Sequence, residues 1–283
     1  ELYGMLKNIT LTDDEKRARR ESRVSAPGLV EKDGATEYTG MKISIGGKHY
    51  DLSIASDIGG VRELDEDYSL AINGKIANVP YNFAAIFDGM GGHSSGEVAS
   101  QTAAVTMNNI LFEMSRAGKS FTYELPNKQQ VTIDLSKIRD IDEVKKLLVY
   151  VQLQMSDQVQ KQQLARDAGT TVAGILEIGG KLFAFNCGDS RVYKKTASSL
   201  EQLTIDHIIV QSLLNINKIT PQEAEIHPQK NALYRDLFDR GNNGIDVYEM
   251  ILGQDESLVV MCDGVHGAYQ GESYSKNTPK MLQ

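Results

Sequence analysis

The chain has 283 residues, 41% of them hydrophobic and 24% charged, with a formal net charge of −8. That length carries one large domain or two small ones around a substantial core. The acid excess argues against a general nucleic-acid surface, which needs cations to neutralise phosphate. No apolar run approaches the roughly 20 residues that span a bilayer, and the first residues lack the charged-then-apolar pattern of a leader. A cytoplasmic protein with neither membrane nor nucleic acid as partner is therefore expected. Cys187 and Cys262 each close an apolar run, where buried free thiols in a reducing compartment are expected rather than a disulfide.

Residues 1–47 read as an extension ahead of a domain over 48–283. Thr12 with Glu15 three positions on is a capping-box pattern opening a charged helix over residues 13–23. Pro27, Gly28, Gly34, Gly40, Gly46 and Gly47 then punctuate a loop-rich link. Such a segment either packs loosely on the domain or regulates it. From His49 onward, Leu52 and Ile54 alternate with polar residues and predict a strand. It runs into a segment in which Arg62 precedes the consecutive acids Asp65, Glu66 and Asp67. Acid runs are usually solvated faces. This one lies between apolar segments, where like charges repel unless a cation or a water network organises them.

Residues 82–87 predict the next strand. It stops at Asp88 and gives way to Gly89-Met90-Gly91-Gly92-His93. A carboxylate at a strand end followed by glycines can hold a hard cation or a phosphate; taken alone, it can equally be an ordinary strand-turn-helix connection. Ser94 and Glu97 form a second capping box, and the apolar stripe Ala99, Ala103, Met107, Ile110, Leu111 and Met114 predicts a core-packing helix. Alternation on either side of Pro126-Asn127 predicts an inserted hairpin within about 117–139. Asp140 or Asp142 then caps a second long helix with Val144, Leu148, Val151, Met155 and Val159 on one face.

Past Asp167, Gly169-Thr170-Thr171 opens a strand to Ile178, Gly179-Gly180 turns it, and a return strand ends at Cys187. Gly188-Asp189-Ser190-Arg191 reads as an Asp-containing turn between strands. Helical pieces follow over 208–214 and 221–226, and a last strand over 257–262 again ends in Asp263-Gly264. Strand ends thus carry three carboxylate groups: Glu66 with Asp67, Asp88, and Asp263. Oxygen donors of this kind favour Mg²⁺ or Mn²⁺; a zinc site would call for histidine or cysteine at ligand spacing. Two such ions would activate a water and clamp a phosphoryl group for in-line attack.

These motifs, in this order, resemble the metal-dependent protein phosphatases of the 2C type, particularly their bacterial branch. The resemblance covers about residues 50–264 and includes Ser56-Asp57-Ile58-Gly59, Ile219-Thr220-Pro221 and His227-Pro228 beside the motifs above. It implies an α+β fold, an α-β-β-α sandwich of two antiparallel sheets flanked by helices, with a flap about 206–240 beside the site. It also implies Mn²⁺- or Mg²⁺-dependent hydrolysis of phosphoserine and phosphothreonine in protein substrates by a metal-activated water, with no covalent phosphoenzyme. On this resemblance Asp88 bridges two metals, the Gly89 carbonyl ligates one and Asp263 the other. Glu66 and Asp67 accept hydrogen bonds from metal-bound waters, Arg62 pairs with the substrate phosphate, and Asp167 lies near the place of a third, looser ion.

The chain departs from the family pattern in three places. Asp65 stands where asparagine is usual. Met90 stands where eukaryotic members carry a histidine that protonates the leaving group; bacterial members also have methionine there. His93 is expected to be a local turn residue, not a substitute acid. No aspartate follows Asp263, although the family closes with a strand bearing an Asp-Asn ligand. The end is therefore expected to be truncated or remodelled, which keeps open a catalytically impaired, phosphatase-like regulatory or binding protein. A phosphatase acting on a small phosphoester is a further alternative.

Overall fold

The computed structural model describes residues 24–25, 29–32, 35–45, 48–57, 65–91, 95–161, 168–238 and 244–267. The expected helix over 13–23, Arg62, His93, Asp167 and the tail beyond Gly267 lie outside the described residues.

The fold is built on an antiparallel core of β5 (Asp67–Ile76), β6 (Val79–Met90), β10 (Val172–Ile178), β11 (Lys181–Cys187) and β14 (Asp246–Met250), paired in that order. Two-residue strands add to it: β1 (Val24–Ser25) pairs with β5 in parallel, and β9 (Gly169–Thr170) pairs antiparallel with the end of β6. Two tight turns set the register. Ala77-Asn78 and Gly179-Gly180 both have positive φ at each central residue, the twist that suits a two-residue hairpin. β10 is buried along its whole length, because it is covered on both faces. A fully covered strand reads as continuous apolar sequence, not as alternation.

On one face of this sheet lie α1 (Ser95–Arg116) and α2 (Ile141–Lys161). Ala99, Ala103, Met107 and Met114 of α1 and Val144, Val151 and Met155 of α2 meet Phe83, Phe87, Phe183 and Phe185 in the main core. On the other face a smaller sheet of β13 (Leu200–Gln202), β12 (Arg191–Lys195) and β15 (Ser257–Met261) packs through Val192, Leu258 and Val260 against Ala84, Ala173, Ile175, Leu182 and Ala184. This is the expected α+β class, with two antiparallel sheets face to face and helices outside. The long helices of the described residues all lie on one outer face.

The inserted hairpin is present as β7 (Ser120–Glu124) and β8 (Gln130–Asp134), paired antiparallel. The stretch read as a loop-rich link instead contains β2 (Leu29–Lys32) and β3 (Ala35–Ile45), which form a meander with β4 (Lys48–Asp57). Gly40 sits at a register shift in β3.

Candidate metal centre

The chain crosses between the two sheets at Gly188-Asp189-Ser190. Gly188 has φ +107°, and a Cβ there would stand 2.6 Å from the Thr171 side chain, so only glycine makes this corner. The Ser190 hydroxyl then bonds Thr171 Oγ1 at 2.7 Å. Arg191 turns inward, and its guanidinium holds the buried Asp206 carboxylate in a fork of 2.6–3.0 Å contacts while also donating to Tyr193 Oη at 3.1 Å. The structural reading of this motif is thereby filled in: it locks the start of the 206–240 segment to the sheet corner.

Asp67 opens β5 directly opposite Asp88 on β6, and antiparallel partners put their side chains on one face of the sheet. Their carboxylate oxygens lie within 4.8 Å of each other, and the Asp263 charge bears on both. Asp263 is exposed at the start of a short helix (Asp263–His266), just past the end of β15. Strands from both sheets therefore deliver carboxylates to one edge of the sandwich. Three main-chain features fix the bed beneath them. Asp88 O accepts from Thr171 N at 2.9 Å and from Thr170 Oγ1 at 3.0 Å, which gives the Gly-Thr-Thr motif a physical role. Glu66 O accepts from Gly89 N at 3.1 Å and from Ser100 Oγ at 2.6 Å. Asp65, buried, caps Asp67 N through Oδ1 at 3.0 Å.

Gly89 and Gly96 let the first turn of α1 rest on the strand end. A Cβ on Gly89 would meet Gly96 O at 2.1 Å and Glu66 O at 2.5 Å, and one on Gly96 would meet both Gly89 O and Glu66 Oε1 at 2.9 Å. Contacts that short exclude any side chain, so the glycines are required by close approach of the backbones.

The electrostatics follow from crowding acids in a desolvated place. Burial, then Asp67, Asp263 and Asp189, push Asp88 well above the usual carboxylate range. Burial and Asp65 raise Asp67 to about 6. Asp189 rises to about 7, through burial first and then Asp263 and Asp206. Carboxylates so placed hold protons among themselves unless a cation replaces the protons. Asp67, Asp88 and Cys262 each offer a ligand atom, and the three atoms lie within 4.8 Å of one another. The donor set therefore fits a divalent cation.

Of the residues predicted for the site, the structure brings Asp67, Asp88 and Asp263 together and places Glu66 and Gly89 in the bed beside them. Arg62 and Asp167 fall outside the described residues. Two participants escaped the sequence reading. Asp189 was read only as a turn residue, yet its charge bears on both Asp88 and Asp263. Cys262 was read as a buried thiol, whereas its Sγ donates to Asp67 Oδ2 at 3.2 Å. Its position immediately before Asp263 was the one available signal.

The sequence profile described as Protein phosphatase 2C matches residues 67–282. The protein phosphatase PhpP of Streptococcus pneumoniae is 25% identical over 224 residues, covering 78% of this chain and 81% of that one. The serine/threonine phosphatase stp of Listeria welshimeri is 29% identical over 210 residues, covering 74% and 75%. Among solved structures, the S. agalactiae serine/threonine phosphatase superposes with a TM-score of 0.58 at 26% identity, over 77% of this chain and 81% of that one. With the profile spanning most of the length, the chain belongs to the protein phosphatase 2C family and is a protein phosphatase of that family.

Proposed function

We propose that the chain hydrolyses phosphoserine and phosphothreonine in proteins with Mn²⁺ or Mg²⁺ at the carboxylate cluster. The observation that carries this reading is the convergence of Asp67, Asp88 and Asp263 at one sheet edge, where burial and crowding raise Asp67 to about 6 and push Asp88 well above the usual carboxylate range. Asp88, the Gly89 carbonyl and Asp263 would hold the ions, while Glu66 and Asp67 orient waters around them. Hard divalent ions at such a site supply an acidified water and positive charge for the phosphoryl oxygens.

The protein's own contribution is positional. Thr170 and Thr171 pin the Asp88 backbone, Asp65 pins that of Asp67, and the Cys262 thiol orients the Asp67 carboxylate. Arg62 would pair with the substrate phosphate, a task suited to a guanidinium fork, and Asp167 would serve a third, looser ion. The family relatives named as serine/threonine phosphatases support the substrate class. The 206–240 segment, tied at its base by Arg191–Asp206, would form the wall that meets the protein substrate. Setting a phosphothreonine peptide beside a small aryl phosphate tests the substrate class. A kcat/KM at least about tenfold higher for the peptide supports a protein substrate; a preference for the small ester would replace it with a small-phosphoester enzyme. Loss of turnover on both, with Mn²⁺ present, would favour the regulatory alternative.

A further inference from the structure

Cys262 stands in the carboxylate cluster and not in the core. Its Sγ is 3.2 Å from Asp67 Oδ2, and the thiol comes from the end of β15 while Asp67 and Asp88 come from β5 and β6. Three donor atoms from three strands therefore converge within 4.8 Å, one of them a soft sulfur among hard oxygens. Donor softness governs which divalent ions a site retains: carboxylates alone suit Mg²⁺ and Mn²⁺, and a thiolate shifts the preference toward zinc-class ions. Zinc takes sulfur at about 2.3 Å and carboxylate oxygen at about 2.0–2.2 Å, so ligand atoms around one tetrahedral ion stand roughly 3.4–3.6 Å apart. Closing the set around such an ion asks for about 1 Å of side-chain movement.

We propose that Cys262 gives this centre a second binding mode, in which a thiophilic divalent cation is held by the Cys262 sulfur together with the Asp67 and Asp88 carboxylates. Binding forms a metal–sulfur bond and releases the thiol proton to solvent; no electrons change hands. Because the ion engages Asp88, it excludes the hard-ion arrangement that the phosphatase reading requires. A zinc-class ion is thus a competitive occupant and not a substitute activator. The inference rests on the carboxylate cluster around Asp88 being a metal centre, as proposed above, and it is independent of the hydrolytic reaction.

Cadmium is the probe, since its bond to a thiolate gives an ultraviolet charge-transfer band. Titrating the protein with Cd²⁺ should give the band at one equivalent. Cys187→Ser, which leaves Cys262 as the sole thiol, should keep it. Cys262→Ser should lose it and bind Cd²⁺ at least about tenfold more weakly, and excess Mn²⁺ should bleach the wild-type band. No band in the wild type or in Cys187→Ser, or a band that survives in Cys262→Ser or in excess Mn²⁺, overturns the proposal. Free Mn²⁺ followed by electron paramagnetic resonance in the same samples separates the two readings. Mn²⁺ bound without a cadmium band removes only the thiophilic mode, whereas failure of both ions to bind removes the metal centre as well.

Discussion

Asp67 and Asp88 face each other across the β5–β6 pair, with carboxylate oxygens within 4.8 Å of each other. Two carboxylates so close are mutually destabilising when both are ionised, and the loss is greatest where water is excluded. The pair is thus tolerable with a proton between them and comfortable with a cation.

Asp88→Asn should consequently move function and stability in opposite directions. The variant removes the most crowded charge and keeps the shape, so without metal its melting temperature at pH 8 should exceed the wild type's by about 3 °C or more. Mn²⁺ should add little to it, whereas it should raise the wild type's melting temperature in proportion to binding. Differential scanning fluorimetry with and without Mn²⁺ reads both effects.

Asp189 gives a pH signature. Its folded value lies near 7 against 3.8 for the free side chain. The stability it contributes is therefore complete below about pH 3.8 and is lost as pH rises through about 7. His266, held down to about 3 by burial and then by Arg191, runs the other way, its contribution complete above about 6.5 and lost toward 3. Comparing variant with wild type cancels the histidine. Asp189→Asn should be more stable than wild-type metal-free protein at pH 8, and the gain should vanish by pH 4, as read from urea midpoints at the two pH values.

The glycine contact between β6 and α1 predicts a graded series. Gly89→Ala places a methyl on backbone atoms that cannot rotate away, so it should cost about 3 kcal/mol or more, at or beyond the usual range for overpacking. Gly96→Ala should cost somewhat less, since one of its three contacts is the Glu66 side chain. Gly118, with nothing within 4 Å, is the neutral control. Urea denaturation of the three variants checks the order.

The Arg191–Asp206 pair should be structural in its effect. Both side chains are almost fully buried, with exposures of 6% and 3%, and Asp206→Ala strands a buried guanidinium. A loss of about 3–5 kcal/mol is expected. Mn²⁺ affinity in the molecules that stay folded should change far less than in Asp88→Asn, as calorimetry at low temperature would measure.

Much of this architecture was legible in the chain. The end of β15 was marked where an apolar run met Asp263-Gly264, helices by the stripes of α1 and α2, and one hairpin by Gly179-Gly180; the same signal at Asp88 misplaced the end of β6, which runs on through Gly89 to Met90 because both pair with Gly169-Thr170. β5 was not legible, because Ser69 and Ala71 are buried beside Tyr68 and Leu70 in a strand covered on both faces, which erases alternation. Its turn, Ala77-Asn78, lacks the glycine that usually signals such a hairpin. The strands within residues 29–45 were hidden by glycines that looked like linker punctuation. At the site, residue types were readable but meetings were not. Cys262 and Asp67 are 195 positions apart, and nothing local to either announces the other. Asp189 looked like any turn aspartate until the sheet corner at Gly188 brought it beside Asp263.

A metal centre for phosphoester hydrolysis at the Asp67–Asp88–Asp263 cluster, as proposed above, makes turnover depend on both the ion and Asp88. Its most direct test is the turnover of a phosphothreonine peptide against Mn²⁺ concentration, for the wild type and Asp88→Asn. Wild-type turnover should be saturable in Mn²⁺, abolished by chelation, and at least about 10³-fold lower in the variant. Turnover that persists after chelation, or that Asp88→Asn leaves intact, would contradict it.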